Sequence, residues 1–93
     1  MTIQLKGNAL SADGLTIGAL FIPPREFAIA LTTADSTLKQ LSLYVSVDGK
    51  TWSKPKTYPF QGSDVVLVHG LVPNCWVKFT STAVLTDATI KYD

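Results

Sequence analysis

A chain of 93 residues, 46% hydrophobic and 16% charged, has the composition of one folded domain over residues 1–93 and not that of a disordered segment. A net charge of +1, with Lys and Arg scattered along the chain, leaves out the basic footprint of a dedicated nucleic-acid binder. No stretch approaches the ~18 uninterrupted apolar residues of a membrane span, so neither nucleic acid nor membrane is expected as a partner.

Folding at this length buries about 60–65% of the surface of the unfolded chain, which supports one thin core and makes association with copies or partners useful. The start, MTIQLKGNAL, has no basic region followed by a long apolar run, so synthesis in a cytoplasm without a signal peptide is expected.

Short runs rich in Val, Ile, Leu, Thr and aromatics recur every 8 to 12 residues or so between Gly, Pro, Asn, Asp and Ser, the rhythm of an all-β chain. TIQLK is the first strand candidate, ending at Gly7. After the turn SADG comes LTIGALFI, with Leu15, Ile17 and Ala19 alternating with Thr16, Gly18 and Leu20. Pro23 and Pro24 stop it, since proline has no N–H for a ladder, and FAIALTT is the next strand. TADSTLKQ leaves room for a single helical turn.

The clearest element is LKQLSLYVSVD, where Leu41, Leu43, Val45 and Val47 share one face and Ser42, Tyr44, Ser46 and Asp48 the other. Asp48-Gly49 supplies a hairpin turn, Gly tolerating the positive φ that a right-twisted hairpin requires, and TWSK is expected to run back antiparallel. PKTYPF, interrupted by Pro55 and Pro59, is followed by DVVLVHGL, the turn VPN, CWVKFTST and AVLTDATIKY. Seven to eight strands with one half-buried face each predict a single-domain antiparallel β-sandwich or jelly-roll, a small barrel being the alternative.

Candidate chemistry is sparse. Cys75 is the only cysteine, so no intrachain disulfide forms, and its setting predicts a buried small hydrophobe. His69 is the only imidazole and has the strand parity of Val65 and Leu67, which predicts a structural role; Ser63 and Asp64 could complete a triad only on paper. The acids fall mostly in turns, where Asp caps backbone N–H groups, and no EF-hand spacing appears. No glycine-rich phosphate loop is present. No catalytic group, metal or cofactor is expected, and the chain is read as a non-enzyme.

The aromatics say more. Tyr44, Trp52 and Tyr58 fall close together around Asp48-Gly49, where they either stack on a sugar ring or a protein partner, or pack on one another. Trp76, Lys78 and Thr80 lie on one side of a regular strand with Val77 and Phe79 on the other, so Trp76 is expected on an outward rim covered by a subunit or by a loop. The candidate binding or interface residues are Tyr44, Trp52, Tyr58 and Trp76.

The run LSLYVSVDGKTWS resembles the strand-turn-strand of jelly-roll and sandwich modules, discoidin-like and carbohydrate-binding ones among them, whose hairpin reads S-x-D-G-x-x-W. That resemblance implies a Trp that packs the hairpin, with any ligand site elsewhere. The whole chain, short, Thr-rich and all-β, with HGLVPNCWVKF and a terminal LTDATIKYD, is similar to small virion proteins of tailed phages, both capsid decoration proteins and tail or head-fibre modules. The resemblance implies a homo-oligomer, with a trimer favoured, located in the virion after synthesis in the host cytoplasm and docked without catalysis on capsid or tail protein. The alternative is a carbohydrate-binding module that holds a glycan on the hairpin aromatics.

Overall fold

A computed structural model describes residues 1–93. Eight strands form: β1 (Thr2–Gln4), β2 (Thr16–Ile22), β3 (Phe27–Thr33), β4 (Leu38–Ser46), β5 (Lys56–Gln61), β6 (Asp64–Val68), β7 (Cys75–Ser81) and β8 (Leu85–Lys91). They pair antiparallel in two four-stranded sheets, ordered β1-β8-β3-β6 and β2-β7-β4-β5. This is a β-sandwich with the two-sheet order of a jelly-roll, and no helix forms over TADSTLKQ.

Alternation builds the core as expected for most strands. Ile29 and Leu31 on β3, Leu41 and Leu43 on β4, Cys75, Val77 and Phe79 on β7 and Ala88 and Ile90 on β8 point between the sheets. Phe27 of one sheet meets Phe79 of the other edge to face, with centroids 6.1 Å apart. Cys75 is fully buried, and loss of solvation pushes its thiol pKa up, which keeps it unreactive.

Three expectations are corrected. First, β2 does not keep one parity: its register with β7 shifts between Ile17 and Leu20, so Ile17 and then Ile22 are buried while Ala19 is exposed. A bulge at Gly18 inserts the extra residue, and the Gly18 N–H turns away to Ala9 O at 2.9 Å. Second, Val47 is not a core residue but 76% exposed, because β4 ends at Ser46.

Third, TWSK does not return as a strand. β5 starts only at Lys56, opposite Leu43, and residues 47–55 form a loop. Pro55 cannot donate to a ladder, and the Asp48 carboxylate captures the N–H groups of Lys50 and Thr51, both at 2.8 Å, before they can pair. Pro59 sits within β5, which is an edge strand and so tolerates it.

Candidate binding surface

The candidate face is the outer side of the sheet β2-β7-β4-β5. Register puts Phe21 opposite Trp76 and Trp76 opposite Ser46, and Tyr44 opposite Lys78, so these side chains share the side away from the core. Phe21 meets Trp76 edge to face at 5.3 Å and is 43% exposed. The Lys78 ammonium lies 4.3 Å from the Trp52 ring centroid and 5.6 Å from that of Tyr44, a cation held between two aromatic rings. Tyr44, Trp52, Trp76 and Lys78 are all half-buried.

The loop that carries Trp52 is built by the motif Ser46-x-Asp48-Gly49. Ser46 Oγ donates to Asp48 Oδ1 at 2.8 Å and accepts the Gly49 N–H at 2.8 Å. Three donors converge on one Asp48 oxygen, and the Thr51 N–H, then the Lys50 N–H, then the Ser46 hydroxyl lower its pKa to about 2. Gly49 has φ +76°, and a Cβ there would sit 3.5 Å from the Trp76 indole, so the turn lies flat on that ring. Ser53 closes the loop: its N–H donates to Val45 O at 2.8 Å and its Oγ accepts the Val45 N–H at 3.0 Å.

Ser46 therefore points to the outer face, as its parity requires, yet it is only 3% exposed because its own loop covers it. Of the four aromatics singled out in the sequence, Tyr44, Trp52 and Trp76 come together and Tyr58 does not. Tyr58 pairs with Leu41, faces the core side, and buries a hydroxyl that has no hydrogen-bond partner, with the Lys56 ammonium 5.5 Å from its ring. Phe21 and Lys78 complete the face. Phe21 was hidden by the β2 bulge, whereas the signal for Lys78 was already there in its parity with Trp76.

Beside the aromatics runs a row of hydroxyls, Thr16, Thr80, Ser42 and Thr57, one from each of the four strands. At the far end of the other sheet, exposed His69 rims a shallow depression of about 440 Å³ together with Glu26, Leu67 and Lys91. Ser63 and Asp64 do not turn to His69: Ser63 Oγ accepts the Thr33 N–H at 3.2 Å, and Asp64 Oδ1 accepts the Val65 N–H at 2.8 Å. No three metal-ligating side chains lie together.

These features define a jelly-roll module with an aromatic outer sheet face. The fold is shared with the solved Anabaena sensory rhodopsin transducer, at a TM-score of 0.62 and 12% identity over 90% of this chain and 89% of that one. At that identity the likeness concerns the fold alone. No protein-family model matches the sequence, and neither does any curated protein.

Proposed function

We propose that the protein is a non-enzymatic structural component of a tailed-phage virion, capsid-decorating or tail-associated, that works as a homo-oligomer and docks on capsid or tail protein through its aromatic sheet face. The observation that carries this reading is the cluster of Phe21, Trp76, Tyr44 and Trp52 on one outer sheet face, Phe21 exposed and the other three partly so. Aromatic residues dominate interface hot spots, and a half-exposed cluster of this size is unusual on a surface that faces only water. Lys78 is already held between two rings, so little side-chain freedom is lost when a partner covers it.

The test is co-sedimentation with particles assembled in cells that express the chain together with the capsid and tail genes of its genome. Trp76→Ala should lower the amount on particles by at least about tenfold, as expected for a hot spot worth roughly 2 kcal/mol. A wild-type chain that stays at the top of the gradient while particles sediment would overturn the reading.

The hydroxyl row of Thr16, Thr80, Ser42 and Thr57 beside Tyr44 and Trp52 favours a second reading, a carbohydrate-binding face. Saturable tryptophan quenching by an oligosaccharide, lost in Trp52→Ala, would put that reading first. Its absence across a panel of neutral and acidic glycans would leave the docking reading alone.

A further inference from the structure

A sandwich of two open sheets has four edges, and an unprotected edge strand is a template for another strand. The edges here are β1, β6, β2 and β5. β1 is only three residues long. β2 is bulged, and residues 9–11 cover it: Gly18 N–H donates to Ala9 O, Ser11 N–H donates to Thr16 O, and Leu10 bridges Ile17. β5 carries Lys56 and Pro59. Each of these is a device that discourages pairing.

β6, Asp-Val-Val-Leu-Val, has none of them: no proline, no lysine, no bulge and no covering loop. Its outer-face side chains are Val65 and Leu67, 55% and 69% exposed, and beside them on β3 lie Ala30 and Ala28. The Val65 N–H bonds the neighbouring Asp64 carboxylate and not β3, a local, solvent-exposed bond that must be exchanged for a ladder bond when a second copy pairs here. By the alternation of an antiparallel ladder, the main-chain groups of Val65 and Leu67 then point to the free side, and those of Val66 point to β3.

We infer that β6 is a self-complementary edge that pairs antiparallel with β6 of a second copy across a two-fold axis at Val66, joining the two β1-β8-β3-β6 sheets into one of eight strands. The register follows from two constraints. Ladder bonds require outward-pointing residues opposite each other, so Val65 can face only odd-numbered residues of the second copy. Val65 opposite Leu67 gathers both valines and both leucines on one face, and it separates the two Asp64 carboxylates by about 13 Å along the strands, beyond the ~8 Å screening length. Val65 opposite Val65 would bring those carboxylates to about 7 Å, and Leu67 opposite Leu67 would place Val65 against His69.

An isologous contact of this kind replaces the favoured trimer with a two-fold pair. A five-residue edge buries little area, below the ~1,200 Å² of a standard interface, so the pair is weak and forms at high local concentration. This contact names the surface for the self-association within the docking reading, but it does not use the aromatic face.

Sedimentation velocity of the full chain from about 10 µM to about 1 mM tests it. The wild type should move from monomer toward dimer across that range. Leu67→Pro removes an N–H that β3 does not use and should stay monomeric. Val65→Lys places a charge on the joint and should also stay monomeric, so it carries the test if the proline variant fails to fold by circular dichroism. Val84→Lys, at an exposed valine away from β6, and Trp76→Ala should associate like the wild type. A wild type that is monomeric at 1 mM, a trimer, or association that survives both β6 variants would overturn the inference. Loss of particle binding in Trp76→Ala with dimerisation intact would separate this contact from the docking face.

Discussion

Ser46→Ala should destabilise the fold by about 2 kcal/mol, although a serine in a strand-turn junction would ordinarily be expendable. Ser46 is 3% exposed, and its Oγ accepts the Gly49 N–H at 2.8 Å and the Asp48 N–H at 3.3 Å. Removing the hydroxyl leaves those part-buried donors without an acceptor beneath a loop that rests on the Trp76 ring. Each net bond is worth about 0.5–1.5 kcal/mol, and the stranded donor raises the cost toward the upper end. The exposed Asp48 carboxylate loses a donor that water replaces, so it adds nothing to this figure.

With a urea m-value near 1–2 kcal/mol/M for a chain of this size, the midpoint should fall by about 1–2 M. Tryptophan emission should shift to the red as the Gly49 turn lifts from Trp76. A stability loss below about 0.5 kcal/mol with unchanged emission would refute the reasoning and would mean that the Ser53–Val45 bonds, the Asp48 carboxylate and the Lys78–Trp52 contact hold the loop without the Ser46 hydroxyl.

Leu43→Ala removes a side chain that is 2% exposed at the centre of β4 and should cost about 2–4 kcal/mol in urea unfolding; a loss under half a kcal/mol would contradict the register. Tyr58→Phe deletes the buried hydroxyl that has no partner and should be neutral or stabilising by up to about 1 kcal/mol, so a loss above 1 kcal/mol would reveal a bond to that oxygen. Stability should also depend on acid. The Asp48 pKa is lowered to about 2, and those of Asp13 and Asp35 are lowered by the hydroxyls of Ser11 and Thr37 and by nearby backbone N–H groups. Their contribution is complete above the unfolded value of about 3.9 and disappears as pH falls toward 2, so thermal midpoints should be level from pH 7 to 5 and fall below pH 4. Asp48→Asn should flatten part of that fall.

The period-two strands were readable because the information is local. Leu41, Leu43 and Val45, and likewise Cys75, Val77 and Phe79, take their faces from neighbours two residues away, and those faces hold in the fold. The β2 bulge was not readable, because whether Gly18 is skipped depends on Val77 and Phe79, about sixty residues on. The loop 47–55 departs from its strand pattern for the opposite reason: side-chain to backbone bonds from Ser46, Asp48 and Ser53 override what propensity alone favours there. The site follows the same division. Proximity along the chain is enough to bring Tyr44 and Trp52 together, but it does not place Tyr58, because a nine-residue loop, not a tight hairpin, separates the strands and Tyr58 faces the core side.

The two proposed surfaces lie on opposite sheets, which affects how weak contacts could add up. A chain docked by Phe21 and Trp76 keeps β6 free, since that strand belongs to the other sheet and its outer residues face away. Two chains docked on adjacent sites of a repeating surface would then meet at effective concentrations in the millimolar range, where an edge pair too weak to persist in dilute solution is populated. Pairing would in turn slow release of each partner, because both aromatic faces would have to detach before either chain escapes. On that account the edge variants Leu67→Pro and Val65→Lys should bind an isolated docking site as well as the wild type does, and yet leave a repeating array faster.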